Sequence, residues 1–280
     1  MKGLRRERVE LKNPQQIVGM RRSGLLLAQV HEMLRENIRV GITTRELDEL
    51  AAQMIREAGS RSNFLGYMGY PATCCISVND AVVHGIPNDY ALCEGDIVSI
   101  DAGCIIDGWH SDAARTHVVG EPRNDADAEL VRVTDEALWV GIAALASAQR
   151  VGDIGAAIED FVQDQAGERL FHLEDFGGHG IGTAMHQPPD VMNYRTRSRG
   201  PKVQTGMCLA IEPMLIQGDG DYVIEDDGWT VRSTRGGRAA HCENSVAVTE
   251  NGLLVLTELD GGAERLAALG VQAAPDPLQS

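Results

Sequence analysis

Asp101 and Asp112 lie in "IDAGCIIDGWHSDAART", residues 100–116, a stretch that otherwise reads as strand. Asp107-Gly108 between them is a hairpin signal, because a type I′ turn needs positive φ at both central positions and these residue types tolerate it. With those two residues as the loop, Ala114 falls opposite Asp101 and Gly103 opposite Asp112. The carboxylates then share one face as diagonal neighbours, roughly 7–8 Å apart. Like charges so placed repel, and burial without a partner costs several kcal/mol or forces protonation. Something positive must lie between them: an arginine, making a buried salt-bridge network, or a metal ion.

The second half of the chain adds "GGHGIGTAMHQPP" (177–189), Glu212 in "CLAIEPM" and Glu243 in "HCENSVAV". Pro213 biases Glu212 toward an extended backbone, so its carboxylate rides on a strand. Glycines at 177, 178, 180 and 182 argue against a helix around His179, so the step to His186 reads as a bent strand and loop carrying two separate imidazoles. Four carboxylates and one imidazole suit hard or borderline divalent ions, and carboxylates can bridge two of them about 3.5–4 Å apart.

Such a set needs a scaffold. Asn13-Pro14 opens a helix that should end near Asn37, and the Thr43/Glu46 capping box opens a second that Gly59 stops. Short β-rich pieces follow from Ala72 to Val119. After Pro122 the order repeats: helices over about 125–148 and 153–165, then strands to Leu256. Two halves of similar order predict an α+β domain with internal pseudo-symmetry and helices on one face of the sheet, the site lying between the halves. The expected divisions are an N-terminal arm (1–12), one catalytic domain (13–258) and a flexible C-terminal tail (259–280).

The formal charge of −16 excludes a broad phosphate-binding surface and hence specific nucleic-acid binding. Lys2, Arg5, Arg6 and Arg8 form the one basic cluster, read as a solvated arm with a transient ribosome contact as the alternative. No stretch approaches the ~18 apolar residues of a membrane span. Six cysteines without a paired spacing fit a reducing cytoplasm.

Together "GYPATCCISVNDAVVHGIP", "IDAGCIIDGWHSDAART", "GGHGIGTAMHQPPDV", "CLAIEPM", "DGWTV" and "HCENSVAVTENG" resemble the type I methionine aminopeptidases of the pita-bread fold, from about Pro14 to Thr257. The resemblance implies a curved, mostly antiparallel sheet covered by helices on one face. It implies two divalent ions (Co, Mn, Fe or Zn) on Asp101, Asp112, His179, Glu212 and Glu243, with Asp112 and Glu243 bridging. It implies that His84 and His186 contact the substrate and that Glu212 handles a proton. The pocket for the first side chain falls to Phe64, Tyr67, Tyr70, Cys75, Met185 and Trp229. The implied activity is removal of the initiator methionine from nascent polypeptides by metal-activated hydroxide, with a small second residue preferred, in a cytoplasmic monomer. A proline-directed peptidase of the same fold and a non-enzymatic pita-bread binding module are the alternatives. Asn244 and Ser245 stand where this family often has His and Thr, and Met68 where a His often lies, which puts the groups behind the ligands and the substrate contacts in question.

Overall fold

The computed structural model describes residues 9–279. Helix α1 spans Pro14–Asn37 and α2 Thr44–Glu57, each opened by a complete capping box, Asn13 with Gln16 and Thr43 with Glu46. Such caps satisfy amide groups that a helix start leaves bare, worth about 0.5–2 kcal/mol each. In the second half α3 is Asp125–Leu145 and α4 Gly152–Ala166.

The main sheet is nine-stranded and every pairing in it is antiparallel. Its path runs from Arg61–Ser62 through Ile97–Ile106, Trp109–Val118, Glu243–Thr249, Cys208–Ile211 and Gly178–Gly180 to Gln187–Val191. Asp107 and Gly108 take φ of 51° and 83°, and the register sets Asp101 opposite Ala114 and Gly103 opposite Asp112, as the turn chemistry requires. The halves meet where Trp109–Val118 pairs with Glu243–Thr249. Alternate residues of these strands face the helices: Ile100, Ala102 and Ala113 pack under α1 and α2, while Leu209, Ile211 and Val246 pack under α3 and α4. The α+β pita-bread expectation holds, and it leaves the opposite sheet face for the acidic side chains.

The chain ends differ from expectation. Residues 259–280 were expected to be loose, yet Leu266 in a short helix α5 (Ala263–Ala268) is fully buried. The Ala274 amide donates to Leu253 O. Arg21, wholly buried in α1, ties the tail down: its guanidinium donates to Leu256 O, Glu258 O and Leu259 O and pairs with Asp276 at 2.7 Å. A buried guanidinium needs all those acceptors, and the stretch from Leu256 into the returning tail supplies them. At the other end the basic cluster falls on residues 1–8, outside the described residues. Lys12, the last residue of the expected arm, is buried and donates to Ile181 O at 2.5 Å.

Candidate active site

Strand register places the acidic residues together. Asp101 pairs with Ala114, which pairs with Glu243, so Asp101, Glu243 and Asp112, two residues from Ala114, share a face. Ser245, two residues past Glu243, pairs with Ala210, and Ala210 pairs with His179. Glu212 is two residues beyond Ala210, so the same alternation brings it and His179 to that face. The glycines beside His179 are required by close approach: a Cβ on Gly178 would stand 2.2 Å from Ala210 O, and one on Gly180 2.3 Å from Pro188 O.

Three overlapping groups could each hold an ion, with ligand atoms within 4.8 Å of one another: Asp101, Asp112 and Glu243; His179, Glu212 and Glu243; Asp112, His179 and His186. Asp101 Oδ1, Asp112 Oδ1 and Glu243 Oε1 are buried without a hydrogen-bond partner. Among the described residues no arginine intervenes. Arg115 approaches from behind instead, donating to Glu243 O and pairing with Glu258, so the salt-bridge reading of the two aspartates fails. Uncompensated buried oxygens in such a group are the environment a divalent cation fits.

Electrostatics say the same. Burial pushes the Asp101 carboxyl up to about 7. Burial, then the Asp101 and Glu212 charges, push Asp112 well above its ordinary range, and burial with the Asp112 charge does this to Glu243. Glu212 alone goes down: burial would raise it, but the neighbouring imidazoles of His241, His179 and His186 outweigh that. One acid is thus held ionised beside three whose charges conflict, a separation of roles by environment.

Around this cluster lies a cavity of about 250 Å³ that also includes every expected substrate-contact residue. Phe64, Tyr70, Cys75 and Met185 form its buried apolar end, with Trp229 packed against them and the Tyr70 and Trp229 rings edge to face at 5.0 Å. Tyr67 and Met68 stand at the exposed mouth. His84 takes a left-handed φ of 60°, uncommon for a non-glycine residue, which turns its ring between Phe176 and Trp229. Burial lowers its pKa against the pull of Glu212. His186, open to solvent on one side, is pushed down to about 4 by burial and by His179. Its Nδ1 is 2.9 Å from the Tyr67 hydroxyl. The loop bearing it is clamped from beneath by Lys12 and by Glu10, which accepts from Thr183.

Sequence reasoning missed His241, which lines the cavity with Nε2 3.5 Å from Glu212 Oε2. Its position two residues before Glu243 was the available signal, since alternation puts both on one face. Ser245 and Asn244, noted only as departures, brace the cluster from behind. The Ser245 hydroxyl donates to Asp112 O and accepts from Asp112 N, while Asn244 accepts from Arg115 and Thr257.

A model for metallopeptidase family M24 matches residues 18–250. The chain is 44% identical to a methionine aminopeptidase of Clostridium perfringens over 88% of this chain and 98% of that relative. A methionine aminopeptidase structure from Thermotoga maritima superposes with a TM-score of 0.85 at 36% identity, covering 90% of this chain and all of that one. Prolidase from Pyrococcus furiosus reaches 0.71 at 21% identity, and the match spans 89% of this chain but only 65% of that longer one, a likeness of fold alone.

Proposed function

The chain belongs to metallopeptidase family M24, in its methionine aminopeptidase branch, and we propose that it hydrolyses the bond after the initiator methionine of newly made polypeptides. The observation that carries this is the convergence of five ligand-type side chains from both halves, three with unpartnered buried oxygens, against a pocket with a buried apolar end. Asp101, Asp112, His179, Glu212 and Glu243 would hold two divalent ions, Co, Mn, Fe or Zn, with Asp112 and Glu243 shared. When bound, such ions polarise the scissile carbonyl and make water acidic enough to attack near neutral pH.

The protein's own groups do the rest. Glu212, ionised by its imidazole neighbours, takes the proton from the attacking water. With the Tyr67 hydroxyl donating to Nδ1, neutral His186 keeps its proton on Nε2 for the oxygen that gains charge. His84 hydrogen-bonds the scissile amide, and the free α-amine is drawn to the carboxylate cluster. All six cysteines are free, in keeping with a reducing cytoplasm. No helix among the described residues is long and apolar enough to cross a membrane. A monomer, in passing contact with the ribosome, completes the reading.

The pocket sets the test. Methionine is long, unbranched and polarizable, and sulfur–aromatic contacts with Tyr70 and Trp229 add about 0.3–1.5 kcal/mol to its burial. Met-Ala and Met-Gly peptides should be cleaved, Leu-Ala far more slowly, and Met-Lys or Met-Phe poorly. Equal kcat/KM for Met-Ala and Leu-Ala would remove the pocket assignment. Equal values for Met-Ala and Met-Phe would remove the small-second-residue rule, and cleavage of Xaa-Pro peptides alone would favour the proline-directed alternative.

A further inference from the structure

A second cavity of about 370 Å³ adjoins the first, and Tyr67 lines both. Its other walls include Arg61, Ser62, Leu65 and His110. Arg61 is exposed, and among the described residues it has no carboxylate or carbonyl partner for its guanidinium, whereas Arg232 and Arg238 are paired with Asp80 and Asp127. His110 stands close by, its Nδ1 unpartnered, its pKa lowered by burial and then by the Arg61 charge. Among the described residues Arg61 is therefore the sole cation lining this cavity, with a neutral imidazole beside it.

The substrate must leave the catalytic pocket somewhere. If its first side chain fills the buried end of the pocket, the rest of the peptide leaves across the open rim at Tyr67 and Met68. The rim backbone bends through left-handed φ at Gly66, Met68 and Gly69. A peptide extending about 3.3–3.6 Å per residue that passes Tyr67 enters the second cavity, which Tyr67 also lines, a few residues past the cleaved bond. The opposite wall, His84 edge-on to Phe176 and Phe176 edge-on to Tyr222, separates the site from a groove carrying Glu174, Asp175, Asp219 and Asp221, which shares no lining residue with the catalytic pocket.

We propose that the Arg61 cavity is the subsite for the peptide downstream of the cleaved bond, and that Arg61 there selects a carboxylate side chain at the third or fourth position. This rests on the aminopeptidase reading and adds a sequence preference to it. The preference opposes the charge of the whole molecule, −16, which by itself would favour basic peptides.

The test compares C-terminally amidated Met-Ala-Glu-Ser, Met-Ala-Lys-Ser, Met-Ala-Ser-Glu and Met-Ala-Ser-Lys on the metal-loaded enzyme. In at least one pair the acidic peptide should lead by about three- to fivefold in kcat/KM, mainly through KM, the size of an exposed ion pair. The lead should shrink with salt and fall to near one in Arg61→Gln. Equal rates for both pairs overturn the proposal, as does a lead that survives in Arg61→Gln. A lysine lead would instead send the peptide out over the acidic groove. Failure to release methionine from any of the four would overturn the parent reading, a result distinct from all of these.

Discussion

Glu243→Gln is expected to lose metal and to lower methionine release by more than about a hundredfold, while making the metal-free protein more stable. The first effect follows from position: Glu243 belongs to two of the three ligand groups, so both ion positions lose an oxygen. Altering only the groups behind a ligand costs ~10–100-fold in affinity or activity, and Glu243 is itself a ligand candidate. The second effect has a definite sign. The folded-state pKa of Glu243 is raised, first by burial and then by Asp112, so its contribution to stability is full below its unfolded value and is lost as pH rises. Asp112 acts in the same direction, and Asp101, raised to about 7, titrates inside the physiological range. The melting temperature of the metal-free wild type should therefore fall between about pH 5 and pH 8 through this cluster. Removing one charge should flatten that fall and raise Tm at pH 8. Calorimetry of chelator-treated proteins at both pH values decides: a lower Tm for Glu243→Gln at pH 8 would show that the carboxylates do not repel one another in the fold.

His186→Ala should keep its metal and lose about 10²–10³-fold in kcat, the cost of one preorganised donor to a developing oxyanion. The geometry makes the metal measurement essential, because His186 also lies within ligand distance of Asp112 and His179. A variant that loses both metal and turnover would make His186 a ligand. Normal turnover with normal metal would end its catalytic role. Tyr67 bears on this result, since its hydroxyl is hydrogen-bonded to His186 Nδ1 and a donating hydroxyl there would keep the imidazole proton on Nε2.

Local chemistry was largely legible in the sequence. A cap residue followed by proline, a capping box and the Asp-Gly turn act over a few residues, so the starts of α1 and α2 and the register of Ile97–Ile106 with Trp109–Val118 could be read from residue types alone. That register in turn put Asp101 and Asp112 on one face. Pairing across the halves was not readable in the same way. It brings Glu243 opposite Ala114 and Ala210 opposite His179 through partners more than a hundred and about thirty positions away, with no turn between them to set the register. His241 was missed for a related reason: a histidine in a strand is usually a satisfied core residue, and only the observed contact with Glu212 sets it apart. The docked tail escaped because its Ala- and Gly-rich composition carries no periodicity, whereas its anchor, Arg21, sits on an apolar helix face more than two hundred residues earlier.

The central claim is that this cluster holds divalent ions that let the chain release methionine. The measurement that tests it most directly takes chelator-treated protein under reducing, anaerobic conditions, adds Co, Mn, Fe(II) or Zn stepwise, and follows methionine release from Met-Ala-Ser amide alongside calorimetric binding. The account predicts no release before metal is added and a rise that tracks occupancy, saturating within two equivalents. Full activity in the metal-free protein, or saturated binding with no methionine released from any metal form, would contradict it.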